Sequence, residues 1–115
     1  MKMIRAMVRP EKASEVMVEL AEAGFPAVTK MDVAGRGKQR GLKVGDVHYD
    51  EVPKELLLLV VEDEAKEDVV KIISRVAKTG QKGAFGDGKI FVYNVQKVVK
   101  VRTGEEDYDA LKDVE

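Results

Sequence analysis

Hydrophobic and polar positions follow two different periods along the chain, and these periods predict its regular elements. Ile4, Ala6 and Val8 alternate with other side chains, which is typical of a strand with one buried face. After Pro10, which suits the first turn of a helix, apolar residues recur at helical spacing as far as Gly24. The same rules predict strands over 2–9, 27–34, 56–61 and 89–94, helices over 10–23 and 63–79, and a short extra strand over 98–102.

The predicted order of elements, strand-helix-strand-strand-helix-strand, indicates a ferredoxin-like α+β sandwich with two helices on one face of an antiparallel sheet. A length of 115 residues suits one domain over 1–115. The third strand, 56–61, reads LLLLVV, although a strand with one solvated face should alternate. We therefore expect another chain to cover the second face of the sheet.

Residues 35–52 have no apolar period and predict a long loop between the second and third strands. Four basic residues lie in its first half, 36–43, and three acidic residues lie in its second half, 46–51. Such a charge run is usually only a solvated surface. The length of the loop, however, is typical of a functional segment in a compact domain.

A second loop, 79–89, reads TGQKGAFGDGK and follows the second predicted helix, which Asp63 is expected to cap and Gly80 to end. Glycines let backbone amides approach a ligand and lysines supply positive charge, so the loop is typical of a phosphate-binding turn. The Walker pattern is absent. A glycine-rich turn without a ligand explains the composition equally well. The acidic residues 105–115 predict a mobile or partner-dependent tail.

Composition narrows the classes of function. There is no cysteine and a single histidine, His48, which excludes disulfides and thiolate sites and disfavours a histidine-based zinc site. A net charge of −1 disfavours a general nucleic-acid binder. The longest apolar run, 56–61, is too short to span a bilayer, and no signal segment opens the chain. We expect a cytoplasmic protein without membrane insertion.

Four segments in order resemble the PII nitrogen-regulatory signal transducers, and the resemblance extends over 1–106. GRGKQRG at 35–41 and PK at 53–54 resemble the start and end of the family's T-loop, which here is 35–52. TGQKGAFGDGK, continued by IFV to residue 92, resembles the B-loop, here 79–89. RTGEE at 102–106 resembles the C-loop, here 100–106.

This resemblance implies a homotrimer, or a trimer or hexamer with a paralogue, that binds ATP or ADP, 2-oxoglutarate and Mg²⁺ between subunits. It implies a regulator, with at most slow incidental ATP hydrolysis, whose T-loop engages a target protein through Arg40, Lys43, Asp46 and Tyr49. The resemblance assigns 2-oxoglutarate to Gln39, Lys54 and Gly86, and Mg²⁺ to Gln39. The nucleotide-binding residues that it implies are Thr29, Gly35, Arg36, Gly37, Lys38, Gln39, Val60, Gly86, Asp87, Gly88, Lys89, Lys100 and Arg102.

Two departures from the typical bacterial member indicate a branch of the family. The stretch from 41 to 54 is short and places Tyr49 out of register with the tyrosine that is modified there, and residues 81–85 are inserted in the B-loop. These features resemble the branch encoded beside nitrogenase genes in methanogenic archaea and some anaerobic bacteria, whose members inhibit nitrogenase. The alternative targets in the family are an ammonium transporter or glutamine synthetase.

Two other classes of protein, an enzyme and an RNA-binding module, are alternatives to a PII-type regulator. For an enzyme, His48 is the only candidate base, and it lies in a polar loop without an obvious nucleophile. For an RNA-binding module, residues 90–95, IFVYNV, imitate the shorter aromatic motif of RNA-recognition domains. That motif belongs on the first strand, whereas here it lies on the last core strand and no second aromatic motif follows.

Overall fold

The computed structural model describes residues 1–36, 42–44, 47–49 and 51–112. The strands and helices of these residues are β1 (Lys2–Val8), α1 (Pro10–Glu22), β2 (Thr29–Gly35), β3 (Leu42–Val44), β4 (Val47–Tyr49), β5 (Val52–Val61), α2 (Lys66–Ala77), β6 (Gly88–Asn94) and α3 (Tyr108–Leu111). Four of the strands form an antiparallel sheet in the order β2-β5-β1-β6, which is the order that the predicted ferredoxin-like α+β sandwich requires.

One face of the sheet carries the hydrophobic core. Ile4 and Ala6 of β1 pair with Leu59 and Leu57 of β5, and all four side chains are buried. Helices α1 and α2 cover this face, with Val16 and Ile73 fully buried among the core residues. Burial of this alternating set supplies most of the driving force for folding, because each large aliphatic side chain removed from water stabilises the fold by about 1.5–3 kcal/mol.

The opposite face of the sheet is largely apolar, with Arg5 and Lys89 among its residues, and no described helix covers it. Because residues paired across antiparallel strands share a face, Met3 lies beside Val60 and Tyr93, and Met7 lies beside Leu56. Tyr93 is 45% exposed. This arrangement explains why 56–61 is apolar without alternation: three of its residues face the helices and three face the uncovered side.

Three sequence predictions need correction. The T-loop is not wholly irregular, since β3 and β4 pair as an antiparallel hairpin within it, and β5 begins four residues earlier than expected. The extra strand over 98–102 does not form; a single bridge joins Val99 to Glu106. Asp63 does not cap α2: it opens a 3-10 turn, Asp63–Ala65, and its carboxylate lies 3.0 Å from the amino group of Met1.

The acidic segment after residue 104 is also more ordered than predicted. The amide of Asp107 donates to the carbonyl of Val98 at 2.8 Å, and α3 follows directly. Leu111 then lines a groove with Phe25 and Val61. Described residues of the predicted mobile tail therefore fold against the domain, while 113–115 lie outside the described ranges.

Candidate functional site

Asp87 organises the B-loop. Its carboxylate accepts hydrogen bonds from the hydroxyl of Thr79 at 2.6 Å, from the Thr79 amide at 3.1 Å and from the Ala84 amide at 2.8 Å. Loss of hydration would raise the pKa of Asp87, but these bonds and one from Arg9 outweigh it and hold the pKa well below its usual value. The carboxylate is therefore charged at neutral pH, and it holds both ends of the loop together.

Arg9 joins the end of β1 to the B-loop. Its Nε donates to Asp87 at 3.1 Å, and its Nη2 donates to the carbonyl of Phe85 at 2.6 Å. Arg9 was not among the site residues predicted from the sequence. In the sequence, Arg9 is marked only as a cation directly before Pro10. Its partner Asp87 lies 78 positions further along the chain, so no local pattern connects the two residues.

Two glycines of the B-loop have conformations that other residues adopt poorly. Gly88 has a φ of +112°, and a Cβ at this position would lie 1.7 Å from the carbonyl oxygen of Met7. Gly86 has a φ of +90°, and a Cβ there would meet Nη2 of Arg9 at 3.2 Å and Nζ of Lys54 at 3.6 Å. Gly88 thus permits the close approach of β6 to β1, and Gly86 permits the approach of two cations.

Lys54 connects the B-loop to the base of the T-loop. Its Nζ donates a hydrogen bond to the carbonyl of Gly86. Lys54 lies in β5 opposite Val33, and its side chain approaches Gly35, at the end of β2. Partial burial and the nearby Arg9 guanidinium lower the pKa of Lys54, against the opposing effect of Glu11 and Asp87. The ammonium of Lys54 and the guanidinium of Arg9 thus lie close together, and the nearer acceptor, Asp87, is already engaged by hydrogen bonds; such a pair of cations favours binding of a further anion, although Glu11 partly offsets their charge.

Other predicted site residues lie away from this cluster. Lys89 immediately follows Gly88 and lies opposite Met7, on the sheet face without helices. Thr29 lies on the same face but at the far end of β5, opposite Leu58, about 13 Å along the strand from Lys54. Val60 lies two residues beyond Leu58, towards the same end.

Lys100 and Arg102 lie beyond the opposite end of the sheet from the B-loop. β6 begins at Gly88 and ends at Asn94, a distance of about 20 Å, and the chain continues past Met1 into the C-loop. One chain therefore does not bring these two cations to its own B-loop.

Several predicted residues have no described side chain. Arg36 is exposed just after β2, whereas Gly37, Lys38, Gln39, Arg40 and Asp46 lie outside the described ranges. Lys43 belongs to β3 and Tyr49 to β4, each on the hairpin of the T-loop. In the described part of the chain, no group of three His, Asp or Glu side chains could hold a metal ion.

The fold and this cluster define a class: a small α+β domain with an anion-favouring loop, a loop hairpin at its edge and an apolar sheet face. The family model described as "Nitrogen regulatory protein P-II" matches residues 1–105. The chain belongs to this family, whose members are regulatory signal transducers that generally bind adenine nucleotides and 2-oxoglutarate.

Individual relatives agree with the family match. The chain is 58% identical over 103 residues to "Nitrogen fixation nifHD region glnB-like protein 1" of Methanococcus maripaludis, an alignment that covers 90% of this chain and 95% of the relative. It is 53% identical to the protein of the same description from Methanothermobacter marburgensis, over 92% of this chain and 98% of that one. It is 37% identical to "Nitrogen regulatory protein P-II" of Pasteurella multocida, over 96% and 100% respectively.

These matches confirm the predicted family and its nitrogen-fixation-associated branch. Within the described ranges, no helix combines the length and apolar character that a membrane span needs.

Proposed function

We propose that this protein is a PII-type sensor of nitrogen and energy status. It binds ATP or ADP on the B-loop, and it binds 2-oxoglutarate beside Lys54 together with Mg-ATP. The state of these ligands sets the conformation of the T-loop, which engages a target enzyme. The observation that carries the proposal is the hydrogen bond from Lys54 to the Gly86 carbonyl, because it links the two loops directly.

The proposed nucleotide site spans two subunits. Gly86, Gly88 and Lys89 of one chain would receive the phosphates, and Lys100 and Arg102 would come from a neighbouring copy. The separation of about 20 Å along β6 supports this division between chains. The uncovered apolar sheet face supports a homotrimer, or a trimer or hexamer with a paralogue, as the assembly that closes the site.

The proposed coupling follows from charge. Arg9 and Lys54 attract an anion, but two anions in one cleft repel each other unless a cation bridges them. Mg²⁺ held by ATP and Gln39 would supply that bridge, so 2-oxoglutarate binds only in the presence of Mg-ATP. Linkage then requires that 2-oxoglutarate increase the affinity for ATP by the same factor by which Mg-ATP increases the affinity for 2-oxoglutarate. ADP has no γ-phosphate for this metal site, so it does not support the binding of 2-oxoglutarate.

The proposed target is nitrogenase. Support comes from the relatives described as nifHD-region proteins, since that description places their genes beside nitrogen-fixation genes. Release of the target by 2-oxoglutarate would relieve inhibition when nitrogen is scarce.

Calorimetry tests the ligand part of this proposal. ATP and 2-oxoglutarate are titrated separately and together, in Mg²⁺, into the parent protein and Lys89→Ala. Because Lys89→Ala removes one charge-assisted contact to phosphate, the affinity for ATP should fall about tenfold or more. Binding of 2-oxoglutarate that is equal with and without ATP would overturn the coupling. Unchanged ATP affinity in folded Lys89→Ala would overturn the site.

Nitrogenase activity tests the target part. Purified nitrogenase is assayed with the trimer plus ATP, and again after 2-oxoglutarate is added. Inhibition that 2-oxoglutarate reverses supports the proposal. Full activity under both conditions contradicts it.

A further inference from the structure

The two cations of the C-loop have different surroundings. Arg102 is exposed and makes no hydrogen bond or ion pair with the described residues. Nζ of Lys100, in contrast, donates to the carbonyl oxygen of Lys112 at 3.1 Å and lies 3.9 Å from the carboxylate of Glu105. The side chain of Lys100 is only 25% exposed. A residue proposed to bind phosphate is thus already engaged by the end of its own chain.

Three further contacts hold the terminal segment in this position. The backbone of Lys100 receives the amide of Gly104 at 2.7 Å and donates to Glu105 at 2.8 Å, which forms a tight turn. α3 then carries the chain back, and Leu111 lines a groove of about 170 Å³ with Phe25 and Ala65. Leu111 therefore anchors the segment whose next residue supplies the carbonyl to Lys100.

The charge of this segment makes it a competitor of phosphate. The described residues 105–112 include four acidic residues and one lysine. A triphosphate brought to Nζ of Lys100 would lie beside the carboxylate of Glu105, which is 3.9 Å from that atom, and like charges repel. The folded segment and the nucleotide cannot both occupy the space around Lys100 without this repulsion.

We infer that the C-terminal segment, 107–112, is an autoinhibitory element that covers Lys100 and competes with nucleotide phosphates for it. This inference rests on the proposed function, because Lys100 must be a phosphate contact. The segment begins beyond residue 105, where the family match ends. ATP binding displaces it, and the apparent affinity for ATP is reduced by the fraction of molecules in which the segment is closed.

The test combines an anchor variant with a site variant. Leu111→Asp places a charge in the apolar groove and should release the segment, whereas Leu111→Met retains the packing and serves as the matched control. ATP affinity is measured by calorimetry for the parent, both Leu111 variants, Lys100→Ala, and Lys100→Ala combined with Leu111→Asp. Circular dichroism checks the fold of each.

If the segment competes with phosphate, Leu111→Asp should increase the affinity for ATP about fivefold, and this gain should disappear in the Lys100→Ala background. Unchanged affinity in Leu111→Asp, with weaker binding in Lys100→Ala, would overturn the inference and leave the proposed nucleotide site intact. A Lys100→Ala variant that binds ATP like the parent would overturn the role of Lys100 itself, and the inference with it.

Hydrogen exchange of the unmodified protein gives an independent measurement. The amide of Leu111 donates to the Asp107 carbonyl at 3.2 Å, and the amide of Lys112 donates to Asp109 at 3.4 Å. Displacement by ATP should accelerate exchange of both amides severalfold. Slower or unchanged exchange in saturating ATP would show that the segment stays closed, which contradicts competition.

Discussion

The ammonium group of Lys54 donates a hydrogen bond to the carbonyl oxygen of Gly86. Lys54 is the third residue of β5, the strand that follows the T-loop, and Gly86 belongs to the B-loop, so one side chain connects the two loops. A ligand that binds Lys54 must take this ammonium away from Gly86 or share it. Either change alters both loops together, which is the physical basis expected for coupling between two sites.

Removing this connection should uncouple the loops. Lys54→Ala should abolish the proposed 2-oxoglutarate binding, because the ligand loses the ammonium group proposed to hold its carboxylate, and it should leave ATP affinity almost unchanged. Calorimetry in Mg-ATP measures both. Lys54→Arg, which retains the charge, is the control and should preserve part of the response. A Lys54→Ala variant that binds 2-oxoglutarate like the parent would exclude this role.

The network around Asp87 predicts a specific pH dependence. Because its folded pKa is lowered, the charged carboxylate contributes stability fully at pH values above its usual pKa near 4, and this contribution declines as the pH falls further. Asp87→Asn should therefore lower the melting temperature at pH 7, and the difference from the parent should shrink between pH 4 and pH 2. Scanning calorimetry over this range measures it.

The matched control for Asp87 is Asp32→Asn, an exposed carboxylate on β2. At pH 7 its melting temperature should remain close to that of the parent, because surface substitutions away from a hydrogen-bond network have small effects. If the melting temperature of Asp87→Asn also equals that of the parent at pH 7, the hydrogen bonds from Thr79 and Ala84 to Asp87 do not stabilise the loop.

Among the glycines of the described ranges, Gly88 should be the least tolerant of substitution. In Gly88→Ala the new Cβ would overlap the Met7 carbonyl, so β6 must separate from β1, and we expect a loss of at least about 3 kcal/mol in the free energy of unfolding. Gly80→Ala provides the control, because its φ of +62° is strained but no atom lies within 4 Å. It should lose only about 1–2 kcal/mol. Urea denaturation that gives equal losses would contradict the packing argument.

The uncovered sheet face predicts self-association. Leu58 lies on this face opposite Arg5, so Leu58→Lys would place a second positive charge there and should dissociate the proposed trimer. Light scattering of the parent should give about three times the chain mass of 12.7 kDa, and the variant should give the mass of one chain. Val18 lies on α1 and is 56% exposed, so the Val18→Lys control should remain trimeric. A monomeric parent at micromolar concentration would refute the assembly.

Much of the fold could be predicted because its signals are local. The alternation of Ile4, Ala6 and Val8 corresponds to β1, and Pro10 and Gly24 bracket α1 as the periodicity indicated. The hairpin inside the T-loop was missed because charged residues and glycines outweighed its two three-residue strands. The capping role of Asp63 was wrong because the amino terminus of β1 competes for the same carboxylate.

The sequence by itself determined the order of the elements, the family and the loops that carry the candidate chemistry, since these depend on periodicity and on short contiguous motifs. Only the tertiary structure decided that Arg9 holds the B-loop, that Lys54 meets Gly86, and that the chain end covers Lys100. Each of these contacts joins residues from separate elements, and it exists only because strand pairing and helix packing bring them within hydrogen-bond distance.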